Sequence, residues 1–122
     1  MAAPGENLKI DGARLWDSLM EMAKIGRGVR GGNNRQTLTD EDAEGRALFQ
    51  RWCEAEGLSM SVDAMGTMFM RREGTEPDLP PVYVGSHLDT QPTGGKYDGV
   101  LGVLGGLEVI RTLNALDIRT RH

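Results

Sequence analysis

Three side chains in the second half of the sequence have the chemistry of metal ligands. His87 and Asp89 follow the apolar residues 82–84, and Asp98 comes after a loop that contains two consecutive glycines. A neutral imidazole binds zinc and its neighbours in the transition series, and a carboxylate has two oxygens that can each bind a different ion. His87 and Asp98 therefore suit a centre of two divalent ions.

Asp89 suits a supporting role at the same centre. It lies two residues after His87 and so projects from the same face of an extended chain. Its carboxylate can accept the second N–H of the imidazole, which orients a metal-bound histidine. Pro92 and the glycine pair favour a chain reversal that returns Asp98 to His87. A structural histidine followed by ordinary reverse turns fits the same residues, and the spacing leaves both interpretations open.

Capping residues and apolar periodicity predict two helices before this region. The first begins after Asp11 and has apolar residues at helical spacing through Ile25, and the second begins at Thr39 and ends before Gly57. The three consecutive acids at 40–42 could imitate a metal site. Helix capping explains them better, because they lie at the positive end of the helix dipole and point in different directions.

The rest of the chain predicts three strands and one further helix. Alternation over 58–64 predicts a half-buried strand, with 67–70 pairing back on it as a hairpin. The apolar run within 81–86 predicts a third strand covered on both faces, with His87 at its carboxyl end, where ligands gather in open α/β sheets. Apolar residues around most of the circumference of 99–113 predict a deeply buried helix.

These elements together predict an α/β fold with a mixed sheet flanked by helices. Three glycines in the last helix are expected to permit close packing against the sheet: Gly102, Gly105 and Gly106.

Residues 85–99 read Gly-Ser-His-Leu-Asp-Thr-Gln-Pro-Thr-Gly-Gly-Lys-Tyr-Asp-Gly. This wording resembles the hydantoinase/carbamoylase family of amidohydrolases, within the aminoacylase and carboxypeptidase-G-like metallopeptidase clan. Similar family segments correspond to residues 10–16, 38–40, 62–66 and 102–110, so the resemblance spans nearly the whole chain.

The resemblance implies that His87 binds one metal ion, that Asp98 bridges two, and that Asp89 orients His87. It implies two divalent ions, with zinc expected first and manganese or cobalt as alternatives. The implied reaction is hydrolysis of the carbamoyl or ureido C–N bond of N-carbamoyl-L-amino acids or related small molecules. An aminoacylase or dipeptidase of the same clan is the alternative enzyme, and a non-catalytic binding or assembly domain is the alternative of another class.

The family's consecutive glutamates and later histidine ligands do not occur in these 122 residues. We therefore expect residues 1–122 to be the N-terminal portion of a metallopeptidase-like catalytic domain, inactive alone, with the dimerisation or lid domain absent. A homodimer is expected for the full-length protein. Arg30 and Arg35 correspond to a loop near the family's active-site approach, where they either contact substrate or belong to a solvated loop.

Composition excludes several other classes of function. The net charge is -4, with 18 acidic and 14 basic residues, which gives no basic face for nucleic acid. No apolar run approaches the roughly 18 residues that cross a bilayer, and residues 1–6 lack a signal pattern, so we expect a soluble cytoplasmic protein without membrane contact. The single cysteine, Cys53, excludes an internal disulfide and is interpreted as a buried apolar group rather than a nucleophile.

Overall fold

The computed structural model describes residues 8–122, in which three α-helices surround a core and one β-hairpin lies beside it. The elements in chain order are α1 (Gly12–Met22), a 3-10 turn (Val29–Gly31), α2 (Asp40–Ala55), β1 (Ser59–Val62), β2 (Met68–Arg71) and α3 (Val100–Ala115). No helix of the described residues is both long and apolar enough to cross a membrane. The prediction made for residues 1–6 lies outside the described part.

Both predicted helix starts are confirmed. The Asp11 side chain accepts a hydrogen bond from the Arg14 N–H at 3.0 Å, and the Thr39 hydroxyl accepts one from the Asp42 N–H at 3.2 Å. These contacts satisfy N–H groups that have no partner inside the helix. The first helix ends at Met22 rather than at Ile25, because the chain turns and reaches a positive φ of 67° at Gly26.

The core lies between the three helices. Its buried members are Leu19, Met22, Ile25, Cys53, Leu58, Val100, Leu104 and Leu107. Cys53 is only 1% exposed, and burial raises the pKa of its thiol to about 12. The thiol therefore stays protonated near neutral pH, which agrees with its interpretation as a buried apolar group.

The predicted hairpin is confirmed, but the predicted half-burial of its first strand is wrong. β1 and β2 pair antiparallel from Ser59 opposite Arg71 to Val62 opposite Met68. Every residue of β1 is exposed.

The predicted third strand is also wrong for the described residues. Residues 81–86 form no strand, and the side chains of Val82, Tyr83 and Val84 are 80%, 75% and 70% exposed. A strand requires a neighbour with which to exchange backbone hydrogen bonds, and no backbone group of residues 8–122 pairs with this segment. The described sheet is therefore a two-stranded antiparallel hairpin rather than a mixed sheet.

The prediction of deep burial is correct for only one side of α3. Leu101 and Val109 are 48% and 49% exposed, whereas Leu104 and Leu107 lie in the core. Helices and a small sheet together match the predicted α/β class, and the segment that carries His87 connects the hairpin to α3.

A buried carboxylate connects α3 to α1. Glu108 is completely buried, and the Nε and Nη2 groups of Arg14 donate to its two oxygens at 2.9 and 2.7 Å. The Asp11 N–H donates to the same carboxylate at 3.1 Å. Burial alone would raise the pKa of Glu108, but these hydrogen bonds outweigh burial and hold its pKa below the ordinary value of 4.5.

We predict that Glu108→Gln lowers the free energy of unfolding by about 3 kcal/mol at pH 7, since it leaves Arg14 without its charged partner. A carboxyl whose pKa is depressed by folding contributes stability above its unfolded pKa, and that contribution is lost as the pH falls through the folded pKa. Stability of the wild-type protein should therefore fall below about pH 4.5 more steeply than that of Glu108→Gln. Urea unfolding between pH 3 and pH 7 measures both effects.

Glu44→Gln is the matched control, because Glu44 is an exposed carboxylate on α2. It should change the free energy of unfolding by less than about 0.5 kcal/mol. Equal effects of the two substitutions would contradict a stabilising role for the buried carboxylate.

Candidate functional site

The His87 side chain lies against the first residue before α3. Gly99 has a positive φ of 73°, and a Cβ at this position would overlap the imidazole ring of His87. Position 99 therefore requires glycine for two reasons: the backbone has a left-handed conformation, and the His87 ring occupies the space of a side chain. The start of α3 and the position of the imidazole are fixed by the same contact.

Two further glycines extend this contact along α3. A Cβ on Gly102 would lie 2.8 Å from the Cβ of Ser86, and a Cβ on Gly106 would lie 3.0 Å from a methyl of Val84. Residues 99, 102 and 106 follow helical spacing, and we call them the glycine face of α3. Gly102 and Gly106 do pack closely, but against residues 84–86 and not against a strand of the described sheet as predicted. The prediction is wrong for Gly105, which has no atom within 4 Å of its Cβ position.

The structure brings the three predicted site residues together around the imidazole. The Nδ1 atom of His87 lies 2.9 Å from the main-chain oxygen of Asp89 and 3.5 Å from the Oδ1 of its carboxylate. The Nε2 atom lies on the other side of the ring, 3.9 Å from the Oδ1 of Asp98. Asp89 therefore contacts His87 more closely through its carbonyl than through the carboxylate that the sequence suggested.

This geometry assigns the proton of the neutral imidazole. A carbonyl oxygen can only accept a hydrogen bond, so Nδ1 carries the N–H that donates to Asp89. The lone pair of a neutral His87 then belongs to Nε2, which faces Asp98. The side chains of the pair are about half exposed, at 50% for His87 and 54% for Asp98.

The pair has a donor set that suits a divalent ion and a separation that one ion can span. Metal bonds to a histidine nitrogen and to a carboxylate oxygen are each roughly 2.0 to 2.2 Å long, so one ion can contact both atoms across 3.9 Å. Residues 8–122 contain no cluster of three or more His, Cys, Asp or Glu side chains suited to a metal. An ion held by His87 and Asp98 therefore needs additional donors from outside the described residues.

Two aromatic side chains support the loop before Asp98. The rings of Trp16 on α1 and Tyr97 lie 6.1 Å apart and are inclined by 34°. An aromatic pair in such contact contributes about 0.5 to 1.5 kcal/mol beyond its buried area. The loop that carries Asp98 is thereby attached to α1 as well as to α3.

Arg35 lies in neither of the two environments that the sequence predicts. Its side chain is completely buried and donates to main-chain carbonyls, so it is neither solvated nor open to a substrate. Burial lowers the pKa of the Arg35 guanidinium, an effect partly opposed by Asp42 and Asp89. Arg30, in contrast, is exposed, as expected for a solvated loop. A single arginine among glycines and asparagines gives no periodic signal that would have revealed its burial.

Comparison with known proteins adds an independent finding. The chain is 73% identical over 122 residues to an N-carbamoyl-L-amino-acid amidohydrolase of Rhizobium meliloti, covering 100% of this chain and 29% of that relative. It is 36% identical over 107 residues to a ureidoglycolate hydrolase of Arabidopsis thaliana, covering 88% of this chain and 22% of the relative. No family model matches the chain.

A solved structure gives the same result. The crystal structure of an amidase of the hydantoinase/carbamoylase family from Burkholderia multivorans matches with a TM-score of 0.93 and 57% identity, over 94% of this chain and 28% of that one. The chain thus belongs to the hydantoinase/carbamoylase family and spans less than a third of the length of these proteins. The resemblance read from residues 85–99 and the α/β fold class are both confirmed.

We predict that Gly99→Ala displaces the His87 ring and lowers the free energy of unfolding by at least about 1 to 2 kcal/mol, the cost of a left-handed conformation for an L-residue. The His87 ring resonances in a proton–nitrogen correlation spectrum should shift. Gly105→Ala is the control, because it adds a methyl to the same helix in open space and should stabilise by up to about 1 kcal/mol. Unchanged His87 resonances in Gly99→Ala would contradict the packing described here.

Proposed function

We propose that this chain supplies the first ligands of a two-metal centre in an amidohydrolase that cleaves the carbamoyl or ureido C–N bond of small molecules. The observation that carries the proposal is the arrangement of His87. One ring nitrogen is tied to the Asp89 carbonyl, and the other presents its lone pair toward the carboxylate of Asp98.

Each of the three residues has its own part in the proposal. His87 would bind one ion through Nε2, and Asp98 would use its two oxygens to bridge that ion to a second one. Asp89 would hold the Nδ1–H and so fix the tautomer and the direction of the imidazole. Divalent ions bound there would polarise the scissile carbonyl and lower the pKa of an attacking water.

The donor set favours zinc without excluding manganese or cobalt, because an imidazole and a carboxylate accept all three. The remaining metal donors and the general base would come from outside residues 8–122. The contribution of this chain is to hold two donors in place before the ions arrive, since the glycine face and the Asp89 carbonyl already orient His87.

The relatives suggest the class of substrate. The names of the Rhizobium and Arabidopsis proteins refer to N-carbamoyl-L-amino acids and to ureidoglycolate, which share a ureido group. For such a substrate, water would add to the ureido carbon and the bond to the substituted nitrogen would break. The amine would be released with a proton, and the carbamate formed would decompose to ammonia and carbon dioxide. Action in the cytoplasm and assembly as a homodimer stay predictions.

A chimeric enzyme tests the proposal. We would replace the aligned segment of the Rhizobium relative with this chain and measure release of the amino acid from an N-carbamoyl-L-amino acid. The chimera should be active, lose activity with a chelator and regain it with zinc, manganese or cobalt. His87→Ala and Asp98→Asn should each reduce kcat/KM by more than the roughly 10- to 100-fold expected for residues that only support a ligand.

The controls separate the alternatives. Asp117→Asn makes the same chemical change as Asp98→Asn at an exposed position in the turn after α3, and it should leave kcat/KM unchanged. Faster hydrolysis of an N-acetyl amino acid or a dipeptide would favour the aminoacylase or dipeptidase alternative. Full activity after His87→Ala, or an inactive but folded chimera, would contradict the proposal.

A further inference from the structure

We infer that Arg35 is a positioning residue, which clamps the main chain on both sides of Asp89 and thereby holds His87 in the orientation needed for metal binding. The inference rests on the proposed metal centre. It is carried by a set of contacts that the sequence did not suggest and that the proposed chemistry does not use directly.

Three hydrogen bonds join Arg35 to the segment that follows His87. The guanidinium Nε donates to the Leu88 carbonyl at 3.0 Å. The Arg35 backbone N–H donates to the Thr90 hydroxyl at 2.7 Å, and the Arg35 carbonyl accepts from the Thr90 N–H at 2.7 Å. Asp89 lies between the two clamped residues. Its own carbonyl, which contacts the imidazole, therefore has little freedom to turn away.

The other end of Arg35 is anchored in the helices. Its Nη1 donates to the carbonyls of Met22 and Ile25 at 3.1 and 2.7 Å, at the carboxyl end of α1, where the helix dipole favours a cation. Gly45 of α2 packs on the stem of the side chain, since a Cβ there would lie 2.9 Å from the Arg35 Cδ. One side chain thus connects the His87 segment to α1 and α2.

Asn33 holds the other part of the same loop in a similar way. Its backbone exchanges two hydrogen bonds with Gly94, at 2.8 and 3.0 Å, on the way to Asp98. Its buried side-chain amide donates to the carbonyls of Ala23, Ile25 and Gly26. Residues 33–35 therefore fix both ends of the loop, with Arg35 nearest to His87 and Asn33 nearest to the part that leads to Asp98.

Burial of the charged Arg35 side chain costs free energy, which indicates that this residue does more than stabilise the fold. Arg35 forms no salt bridge with a carboxylate of the described residues, and its Nη2 is buried without a partner among them. Burial of a charge without a paired opposite charge is expensive, and an apolar side chain of similar volume would often serve stability better. What a guanidinium provides and an apolar group cannot is a fixed set of directed donors to Leu88, Met22 and Ile25.

The test compares substitutions that remove the clamp with one that retains it. Arg35→Lys keeps the charge but not the planar fork of donors, and Thr90→Val removes the hydroxyl while keeping the shape. Thr90→Ser retains the hydroxyl and should rescue the behaviour of the wild type. Ser18→Ala is a control for a general loss of stability, because it removes a buried hydroxyl between α1 and α3 that accepts from Arg111.

Two readouts are measured on the chimeric enzyme described above, which supplies the remaining metal donors, after it has been freed of metal and then titrated with zinc. Amide hydrogen exchange at Thr90 and its neighbours should become roughly tenfold faster in Arg35→Lys and Thr90→Val, as expected when a hydrogen bond is lost. Zinc affinity, followed through the His87 ring nitrogens, should fall by roughly 10- to 100-fold in the same two variants. Thr90→Ser and Ser18→Ala should change neither quantity by more than about twofold.

The outcomes distinguish this inference from the proposed function. Unchanged exchange at residues 87–90 in both clamp variants would overturn the inference, whatever happens to zinc. Faster exchange with unchanged zinc affinity would show that the clamp exists but does not position the ligand, which also overturns it. No zinc binding by the chimera without these substitutions would overturn the metal centre and the role assigned to Arg35, while exchange would still report whether the clamp exists.

Discussion

The contact between the glycine face of α3 and residues 84–87 is the constraint on which the candidate site depends. Because Gly99 lacks a side chain, the imidazole of His87 can lie against the beginning of α3 rather than being pushed away from it. The same residue begins the helix that contributes Val100 and Leu104 to the core. The position of a potential metal ligand is therefore tied to the packing of the whole chain and not to loop flexibility.

Two buried ionic groups support this arrangement in different ways. Glu108 forms a complete set of charge-assisted hydrogen bonds with Arg14 and the start of α1, so its burial aligns α3 with α1. Arg35 forms no salt bridge with any carboxylate of residues 8–122, and its side chain donates to the carbonyl groups of Leu88, Met22 and Ile25. The first group fixes two helices relative to each other, and the second fixes a loop relative to those helices.

The features that the sequence predicts correctly are those that depend on residues close together in the chain. The helix starts at Asp11 and Thr39 depend on contacts within three residues, and the hairpin depends on a short turn, so all of these could be recognised. The side chains of residues 81–86 predict a strand because they have strand character, but a strand also requires a hydrogen-bonding neighbour, which a local pattern does not reveal. The prediction failed where the outcome depends on a distant part of the chain.

In the candidate site, too, local features are predictable from the sequence and contacts between distant residues are not. His87, Asp89 and Asp98 could be selected from their chemistry, and the structure brings them together as the spacing allowed. The roles of Asn33 and Arg35 could not be predicted, because their partners lie at both earlier and later positions, from Ala23 to Gly94. The sequence does not predict the contact of His87 with the Asp89 carbonyl, because every residue has a main-chain carbonyl and its use as an acceptor does not depend on the type of side chain.

The central claim is that His87 and Asp98 share a divalent ion. Anomalous X-ray scattering at the zinc absorption edge, from crystals of the chimeric enzyme grown with zinc, tests it most directly. We predict a peak within roughly 2.0 to 2.2 Å of both the His87 Nε2 and a carboxylate oxygen of Asp98. A peak bound elsewhere, or none at saturating zinc with both side chains ordered, would contradict it.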